Sequence, residues 1–257
     1  MSHTLTRAAD IPQTDADPAA VVARAQRLHL IEEAVRLTPD QWRASTECPR
    51  WTVFDILAHV TAATQNAANP LLWVSDGVIG KIRRPHDAFL DAGNEIGINR
   101  RRGQTAEQLI ADFRSLIDAA QPPPLLRRLP VPVGGLPRHA DVAYLVDVIL
   151  ARDTWLHRYD IARATGGTVD PDTTSTEVVA QVVRDLALTW RGPDVVLELT
   201  GPEGGIWLLG TDPDAPVATL PAVDYLRHLS GRTVQQDLWV TVPERARPAL
   251  AAARVTF

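Results

Sequence analysis

The sequence predicts an α+β protein in which a helical first domain is followed by a smaller domain of strands and helices. Through most of the first 165 positions, apolar residues recur with the 3.6-residue period of a helix. After the pair Gly166-Gly167 the pattern changes to short apolar runs separated by glycine-rich turns. We therefore expect a flexible tail over residues 1–16, a helical domain over 17–167 and a small α+β domain over 168–257.

The composition excludes several classes of protein. The 257 residues are 45% hydrophobic, which is enough for a sizeable core, and a net charge of -5 argues against a nucleic-acid partner. Cys48 is the single cysteine, so an internal disulfide and a cysteine-based metal cluster are excluded. The N-terminus lacks a signal-peptide pattern, and no apolar run approaches the about 20 residues of a membrane helix. We expect a soluble cytoplasmic monomer or homodimer without membrane partners.

The first two long helices are predicted from their end signals and their periodicity. Asp17-Pro18 has the form of an N-cap followed by proline at the first helical position, and Pro39 ends the segment. Thr52 is a suitable N-cap for the next helix, from Val53 to about Asn66. The first helix has a mostly apolar stripe of Val21, Val22, Ala25, Leu28, Ile31, Glu32 and Val35. The stripe of the second is Val53, Ile56, Leu57, Val60 and Thr64.

The remainder of the helical domain is predicted in five segments. Residues 70–85 contain Gly77 and Gly80 and are interpreted as a helix fragment followed by a loop. Residues 88–102 are predicted to be helical, and Thr105 begins another helix in which Gln108 completes a capping box. A long irregular connection over 121–137 precedes a helix from about residue 140 to 164.

The second domain is predicted to begin with a helix over 173–190. Strands over 195–200 and 206–210 are joined by a glycine-rich hairpin. A helix over 222–229 ends at Gly231, and residues 238–242 are expected to form a strand before a short terminal helix.

One carboxylate lies on the apolar face of the helix that is predicted over residues 140–164. On a helical wheel Asp153 falls near the centre of the apolar stripe, with His157 beside it and Asp160 on the same face. Asp147 and Arg158 fall on the opposite side and are expected to face solvent. Because a buried, unpaired carboxylate is unfavourable by several kcal/mol, Asp153 needs a partner.

Two interpretations of this pair remain open at the level of periodicity. Residues at i and i+4 lie one turn apart, so Asp153 and His157 can share a metal ion. They can equally form a hydrogen-bonded pair, or Asp153 can pair with an arginine such as Arg152. A metal site needs a third ligand, and His59 beside the stripe of its own helix is the candidate. Periodicity alone does not connect the two helices.

Two segments resemble signatures of the mycothiol-dependent maleylpyruvate isomerase family. Residues 46–60 read TECPRWTVFDILAHV, and residues 153–166 read DTWLHRYDIARATG. The order and separation of the two segments also fit. The resemblance covers nearly the whole chain and implies a DinB-like four-helix bundle followed by a small α/β domain related to sterol-carrier-protein folds.

The family resemblance also implies a site and a cofactor. Its metal ligands correspond here to His59, Asp153 and His157, although the family pattern has glutamate where this chain has Asp153. The expected metal is divalent, with zinc favoured and nickel or another ion as alternatives. The expected thiol is mycothiol, and Cys48 is interpreted as structural. A functional arginine of the second domain corresponds to Arg232 or Arg227, and surface arginines are the alternative interpretation of both.

The resulting functional hypothesis is an isomerase or S-transferase in which a metal-activated thiol attacks a small electrophile. The first alternative is a non-catalytic DinB-like protein that binds metal and acts as a binding or regulatory partner. The second is a metal-dependent hydrolase, for which Asp160 is the only nearby residue that could act as a general base.

Overall fold

A computed structural model describes residues 5–118, 124–131, 140–170 and 172–257. The chain divides into two compact units. The first, here called the helical unit, comprises residues 16–169, and the second, the sheet unit, joins residues 1–15 to residues 170–257. Most of the predicted connection over 121–137 lies outside the described residues.

The helical unit contains two short helices and six longer ones among its described residues. In chain order these are α1 (Ala16–Val35), α2 (Pro39–Trp42), α3 (Val53–Ala68), α4 (Pro70–Arg83), α5 (Phe89–Arg101), α6 (Ala106–Leu116), α7 (Val142–Tyr144) and α8 (Leu150–Thr165). A 3-10 turn spans Pro124–Leu126, and a π-helix over Leu145–Ile149 joins α7 to α8 without a break. No helix of the described residues combines the length and the apolar character that crossing a membrane requires.

Several end signals of these helices are those that the sequence predicts, but α1 begins at Ala16, one residue before the predicted N-cap Asp17. Thr52 and Thr105 each accept a hydrogen bond from the backbone N–H three residues on, and the side chains of Asp55 and Gln108 complete the two capping boxes. Gly166 ends α8 with a φ of 69°, a left-handed conformation that favours glycine. These local interactions fix where α3 begins and where α8 ends, and these are the two helices of the candidate site.

The core cluster of the helical unit takes residues from α1, α2, α3, α5, α6 and α8. Every residue of the predicted α3 stripe is buried, including Ile56, Leu57 and Val60. The predicted α1 stripe is wrong in phase, because Val21 and Val35 are 65% and 58% exposed. The buried face of α1 instead comprises Ala19, Val22, Ala23, Gln26, Arg27, Leu30, Ile31 and Ala34.

The structure has one continuous helix, α4, where the sequence predicted a helix fragment followed by a loop. Gly77 and Gly80 do not break it, because α5 packs so closely against them that larger side chains have no space. A Cβ atom on Gly77 would lie 2.0 Å from the ring of Phe89, and one on Gly80 would lie 2.4 Å from the backbone of Ala92. The glycines therefore permit a close contact between two helices.

The predicted exposure of Asp147 and Arg158 to solvent is wrong. Both are buried, Asp147 in an ion pair with Arg127 and Arg158 in one with Glu33 at 2.7 Å. Most residues of α8 between Ala151 and Ile161 are buried, so this helix packs against other elements on more than one side, and a wheel with a single apolar face misplaces Arg158. Burial of each charge is accompanied by an oppositely charged partner, as charge burial requires.

The sheet unit contains four strands in the order β1-β3-β2-β4. They are β1 (Thr6–Arg7), β2 (Val195–Thr200), β3 (Gly205–Leu209) and β4 (Val217–Pro221), accompanied by α9 (Ser175–Thr189), α10 (Ala222–Leu229) and α11 (Arg247–Ala252). The predicted hairpin is confirmed, since β2 and β3 pair antiparallel. The predicted strand at 238–242 is wrong, because Gln236–Trp239 is a 3-10 helix, and β4 was not predicted.

The described part of the expected tail over residues 1–16 is ordered structure of the sheet unit. Thr6 and Arg7 pair in parallel with β3. The carbonyl oxygens of Ile11 and Pro12 accept hydrogen bonds from Arg184 and Gln181 of α9. Composition suggests a tail here, but strand pairing and side-chain hydrogen bonds satisfy its backbone.

We predict that Gly80→Ala destabilises the helical unit. The new methyl group would clash with the backbone of α5, which cannot move as a flexible side chain can, so we expect a loss of about 1–3 kcal/mol in the free energy of unfolding. Urea denaturation measures this loss. Gly103→Ala is the control, because a Cβ there meets nothing within 4 Å; equal stabilities of the two variants would contradict the prediction.

Candidate metal centre

Three residues expected to lie together do so. His59 of α3 and the α8 residues Asp153 and His157 place one potential ligand atom each within 4.8 Å of one another. The two carboxylate oxygens of Asp153 divide between the rings, with Oδ2 3.2 Å from His59 Nε2 and Oδ1 3.3 Å from His157 Nε2. Both Nε2 atoms and both oxygens therefore converge on one small volume.

The helices explain this convergence. Asp153 and His157 are one turn apart on α8, so their side chains emerge side by side. His59 lies on the face of α3 that carries Ile56 and Val60, and burial of that face brings the imidazole to α8. The two histidines are 6% and 3% exposed, whereas the Asp153 side chain keeps 16% exposure. The cluster is thus walled by protein but retains contact with solvent.

A second carboxylate orients His157. Asp160 is fully buried, and its Oδ2 lies 2.9 Å from His157 Nδ1. We assign the Nδ1 proton to this hydrogen bond, which leaves Nε2 directed at Asp153. The Cys48 thiol lies 3.6 Å from the same oxygen of Asp160. The wheel placed Asp160 on the right face, but only the fold shows that it contacts the far side of the ring.

Trp51 forms one wall of the cluster, a role that the sequence did not reveal. Its ring centroid lies 4.9 Å from that of His59. The indole N–H donates a 2.8 Å hydrogen bond to Glu95 Oε1, and Glu95 also accepts one from Arg84. This buried chain of polar contacts fixes the indole, which in turn restricts the His59 ring.

The comparison with protein families decides where the chain belongs. Residues 23–162 match the family model described as the mycothiol maleylpyruvate isomerase N-terminal domain. The chain belongs to this family. The matched segment begins within α1, ends within α8 and contains His59, Asp153 and His157.

Solved structures support the same fold. The crystal structure of the mycothiol-dependent maleylpyruvate isomerase is similar with a TM-score of 0.55 and 16% identity, over 89% of this chain and 93% of that chain. A histidine-to-alanine mutant of that isomerase gives 0.54 and 15% over the same shares. No curated protein matches the chain in sequence. At these identities the structural likeness shows a shared fold.

The pKa values of Asp153 and His157 shift in opposite directions in this family member. Burial alone would raise the pKa of Asp153, but the neighbouring His157 and His59 imidazoles outweigh it and hold that pKa well below its usual range. Burial alone would lower the pKa of His157, yet Asp153, Asp160 and Cys48 raise it well above its usual value. The metal-free cluster is therefore an ion pair with a proton on His157.

The donor set suits a divalent transition metal. Two imidazole nitrogens and one carboxylate oxygen are the ligand types of catalytic zinc sites, which keep a further position for water or substrate. A hydrogen bond from the far nitrogen of a ligating imidazole to a carboxylate is typical of such sites, and Asp160 supplies one. The residues present therefore fit a metal ion.

The two predicted arginines belong to the sheet unit. Arg227 of α10 is 1% exposed, and its Nη1 lies 4.0 Å from Asp224 Oδ1. Arg232 is half-buried, and its Nη1 donates a 3.0 Å hydrogen bond to Ser230 Oγ. The interpretation of Arg227 as a surface arginine is wrong, and a catalytic role for either residue stays a prediction.

We predict that Asp153→Asn lowers the pKa of His157 in chelator-treated protein. The substitution removes the negative charge that offsets burial, so the imidazole loses its proton at lower pH. Proton–carbon NMR titration of the ring measures this change. The same His157 pKa in the wild type and in Asp153→Asn would contradict the prediction.

The same shifts set the pH dependence of the metal-free fold. The stabilisation from charged His157 is complete below its unfolded pKa of about 6.5 and is lost as pH rises through the raised folded value. The contribution of Asp153 is present above about pH 4 and is lost as pH falls through its depressed value. We expect the free energy of unfolding, measured with urea, to decline on the alkaline side, and to decline less in Asp153→Asn.

Proposed function

We propose that this protein is a metal-dependent isomerase or S-transferase in which the thiol of mycothiol attacks a small electrophile. The observation that carries this proposal is the convergence of His59, Asp153 and His157 in a buried cluster that stays accessible at Asp153. Membership in the mycothiol maleylpyruvate isomerase N-terminal domain family, and the name of the isomerase with the same fold, support the choice of thiol.

The three clustered residues would hold one divalent metal, for which zinc fits the nitrogen and oxygen donors best. A bound metal ion would lower the pKa of a coordinated thiol and so make thiolate available at neutral pH. The roles of the protein groups around it follow from their contacts. Asp160 holds the His157 ring in the tautomer whose Nε2 faces the site, and Trp51 restricts His59. Asp153 supplies the negative charge that partly neutralises a cation.

We extend the proposal to the two units. The helical unit is assigned as a DinB-like four-helix bundle, supported by a core cluster to which the long helices α1, α3, α6 and α8 contribute, together with α2 and α5. The sheet unit is assigned as a domain related to sterol-carrier proteins, supported by its small mixed sheet with flanking helices. In this assignment Arg227 or Arg232 serves the reaction as the functional arginine of the second domain.

The hydrolase alternative is less well supported. It requires a general base that can reach a water molecule, and Asp160 was the residue available. Asp160 is fully buried, and its Oδ2 is already shared by His157 and Cys48. Its contacts favour a role in orienting His157.

We predict that purified protein contains about one equivalent of divalent metal per chain and that His59→Ala and His157→Ala lose it. Removal of one of three protein ligands leaves too few donors to retain the ion through dialysis. Elemental analysis by mass spectrometry measures the content. His86→Ala removes an exposed histidine and should keep the metal; retention in His157→Ala would show that the assigned ligand set is wrong.

We predict that Asp160→Asn weakens zinc binding by about 10–100-fold without abolishing it. The variant keeps every ligand but changes the partner that fixes the His157 ring, and loss of such support has this magnitude in other zinc sites. Competition with a chromogenic chelator measures the affinity. An unchanged affinity would exclude a positioning role for Asp160.

We predict that the metal-loaded protein accelerates conjugation of mycothiol with bromobimane and that chelation removes this activity. Fluorescence of the conjugate measures the rate, with His86→Ala as the active control and His157→Ala as the inactive variant. If zinc binds but several electrophiles show no acceleration, the non-catalytic binding function replaces the enzyme.

A further inference from the structure

Arg27 is a buried charge for which the described residues provide no partner. It is 3% exposed and lies on α1, on the face that packs into the helical unit. Among the described residues, no hydrogen bond or ion pair involves its guanidinium. Burial lowers the pKa of Arg27 to about 10, with no carboxylate raising it again. An arginine with that pKa is still charged at neutral pH.

This situation differs from that of Arg158 and Arg101, two other deeply buried arginines of the unit. Arg158 bonds to Glu33 and to Gln26, each at 2.7 Å. Arg101 pairs with Asp112 at 3.1 Å and with Gln65 at 2.9 Å. Because burial of an unpaired guanidinium is unfavourable, a position that keeps one favours the binding of an anion that is not part of the chain.

The helix geometry shows which side of the bundle Arg27 faces. The helices α1 and α8 run in the same direction, since Gln41, just after α1, bonds to the carbonyl of Thr165 at the end of α8. Gln26 of α1 and Arg158 of α8 face each other through a 2.7 Å hydrogen bond. A helix turns by about 100° per residue. The residue that follows Gln26 and the residue that precedes Arg158 therefore point to the same side of the two helices.

Those two residues are Arg27 and His157. Leu30, Ile31 and Ala34 share the α1 face of Arg27 and belong to the core cluster that also includes Val60, the neighbour of His59. Neighbouring helices of this kind lie about 8–10 Å apart. The guanidinium on α1 and the metal cluster on α8 are therefore directed to the same side of these two helices.

We propose that Arg27 is the anion receptor of the helical unit and binds a carboxylate of the small electrophilic substrate. The planar guanidinium offers parallel N–H donors that match a carboxylate. This inference rests on the proposed function for its substrate, and it assigns the side chain that would recognise the negative charge of that substrate. It assigns the carboxylate-binding arginine to the helical unit, whereas Arg227 and Arg232 belong to the sheet unit.

The first test measures anion binding without any metal. Chelator-treated protein is titrated with pyruvate or with its neutral analogue pyruvamide, and Tm is recorded. We expect a saturable rise in Tm with pyruvate and none with pyruvamide. Arg27→Met should abolish the rise, and Arg27→Lys should retain part of it. An equal response in wild type and Arg27→Met, or none in wild type, would overturn the proposal.

The basal stability of the same variants separates binding from a structural role. Arg27→Met replaces an unpaired buried charge by an apolar side chain of similar length, so its Tm without ligand should rise by a few degrees. Arg158→Met breaks an ion pair and should lower Tm. If Arg27→Met also lowers Tm, Arg27 is a structural residue and the proposal fails.

The second test uses zinc-loaded protein and mycothiol with bromoacetate or the neutral bromoacetamide. Arg27→Met should raise the KM for bromoacetate at least about tenfold and leave that for bromoacetamide unchanged. Equal losses with both electrophiles would contradict anion recognition. Zinc content is measured in parallel: a wild type that binds pyruvate but no zinc would overturn the proposed function and leave the anion receptor standing.

Discussion

The placement of a carboxylate between two imidazoles, inside an otherwise apolar helical unit, is the interaction on which the site depends. Asp153 bridges His59 and His157, which belong to helices far apart in sequence. In the absence of metal this bridge satisfies three polar side chains that burial would otherwise penalise. The protein can therefore assemble its ligand set before an ion arrives, at the expense of a proton that the ion must displace from His157.

Support for this cluster extends outward in two directions. Asp160 contacts the far side of the His157 ring, and the Cys48 thiol contacts Asp160. Trp51 lies beside His59 and donates a hydrogen bond to Glu95. Each contact limits the rotation of a ring by engaging its far side or its face. Precision in a metal site comes from such outer contacts, because the ligands themselves have free side-chain torsions.

The sequence predicts the local parts of this structure well. Thr52 and Thr105 identify helix starts, Gly166 identifies an end, and the hairpin of β2 and β3 follows from its turn. Asp153 draws attention because its polarity contradicts its apolar face. These predictions succeed because each depends on interactions within a few residues.

Predictions that depended on distant partners did less well. The polarity of Gln26 and Arg27 suggests exposure to solvent, whereas the fold buries both residues. Gly77 and Gly80 suggested a break, whereas α5 uses them for close contact. Only the family resemblance predicts that His59 lies near Asp153, since no periodicity relates α3 to α8. Trp51 and Glu95 have no local signal at all.

The π-helix over Leu145–Ile149 has a consequence for how this site can change through evolution. It accommodates one extra residue ahead of α8, so every side chain downstream is set about 100° round from where an uninterrupted α-helix would place it. Deletion of one residue there would turn Asp153, His157 and Asp160 together, away from His59, although none of them had mutated. Descendants of this chain can lose the entire site in a single step at a position that touches none of its ligands.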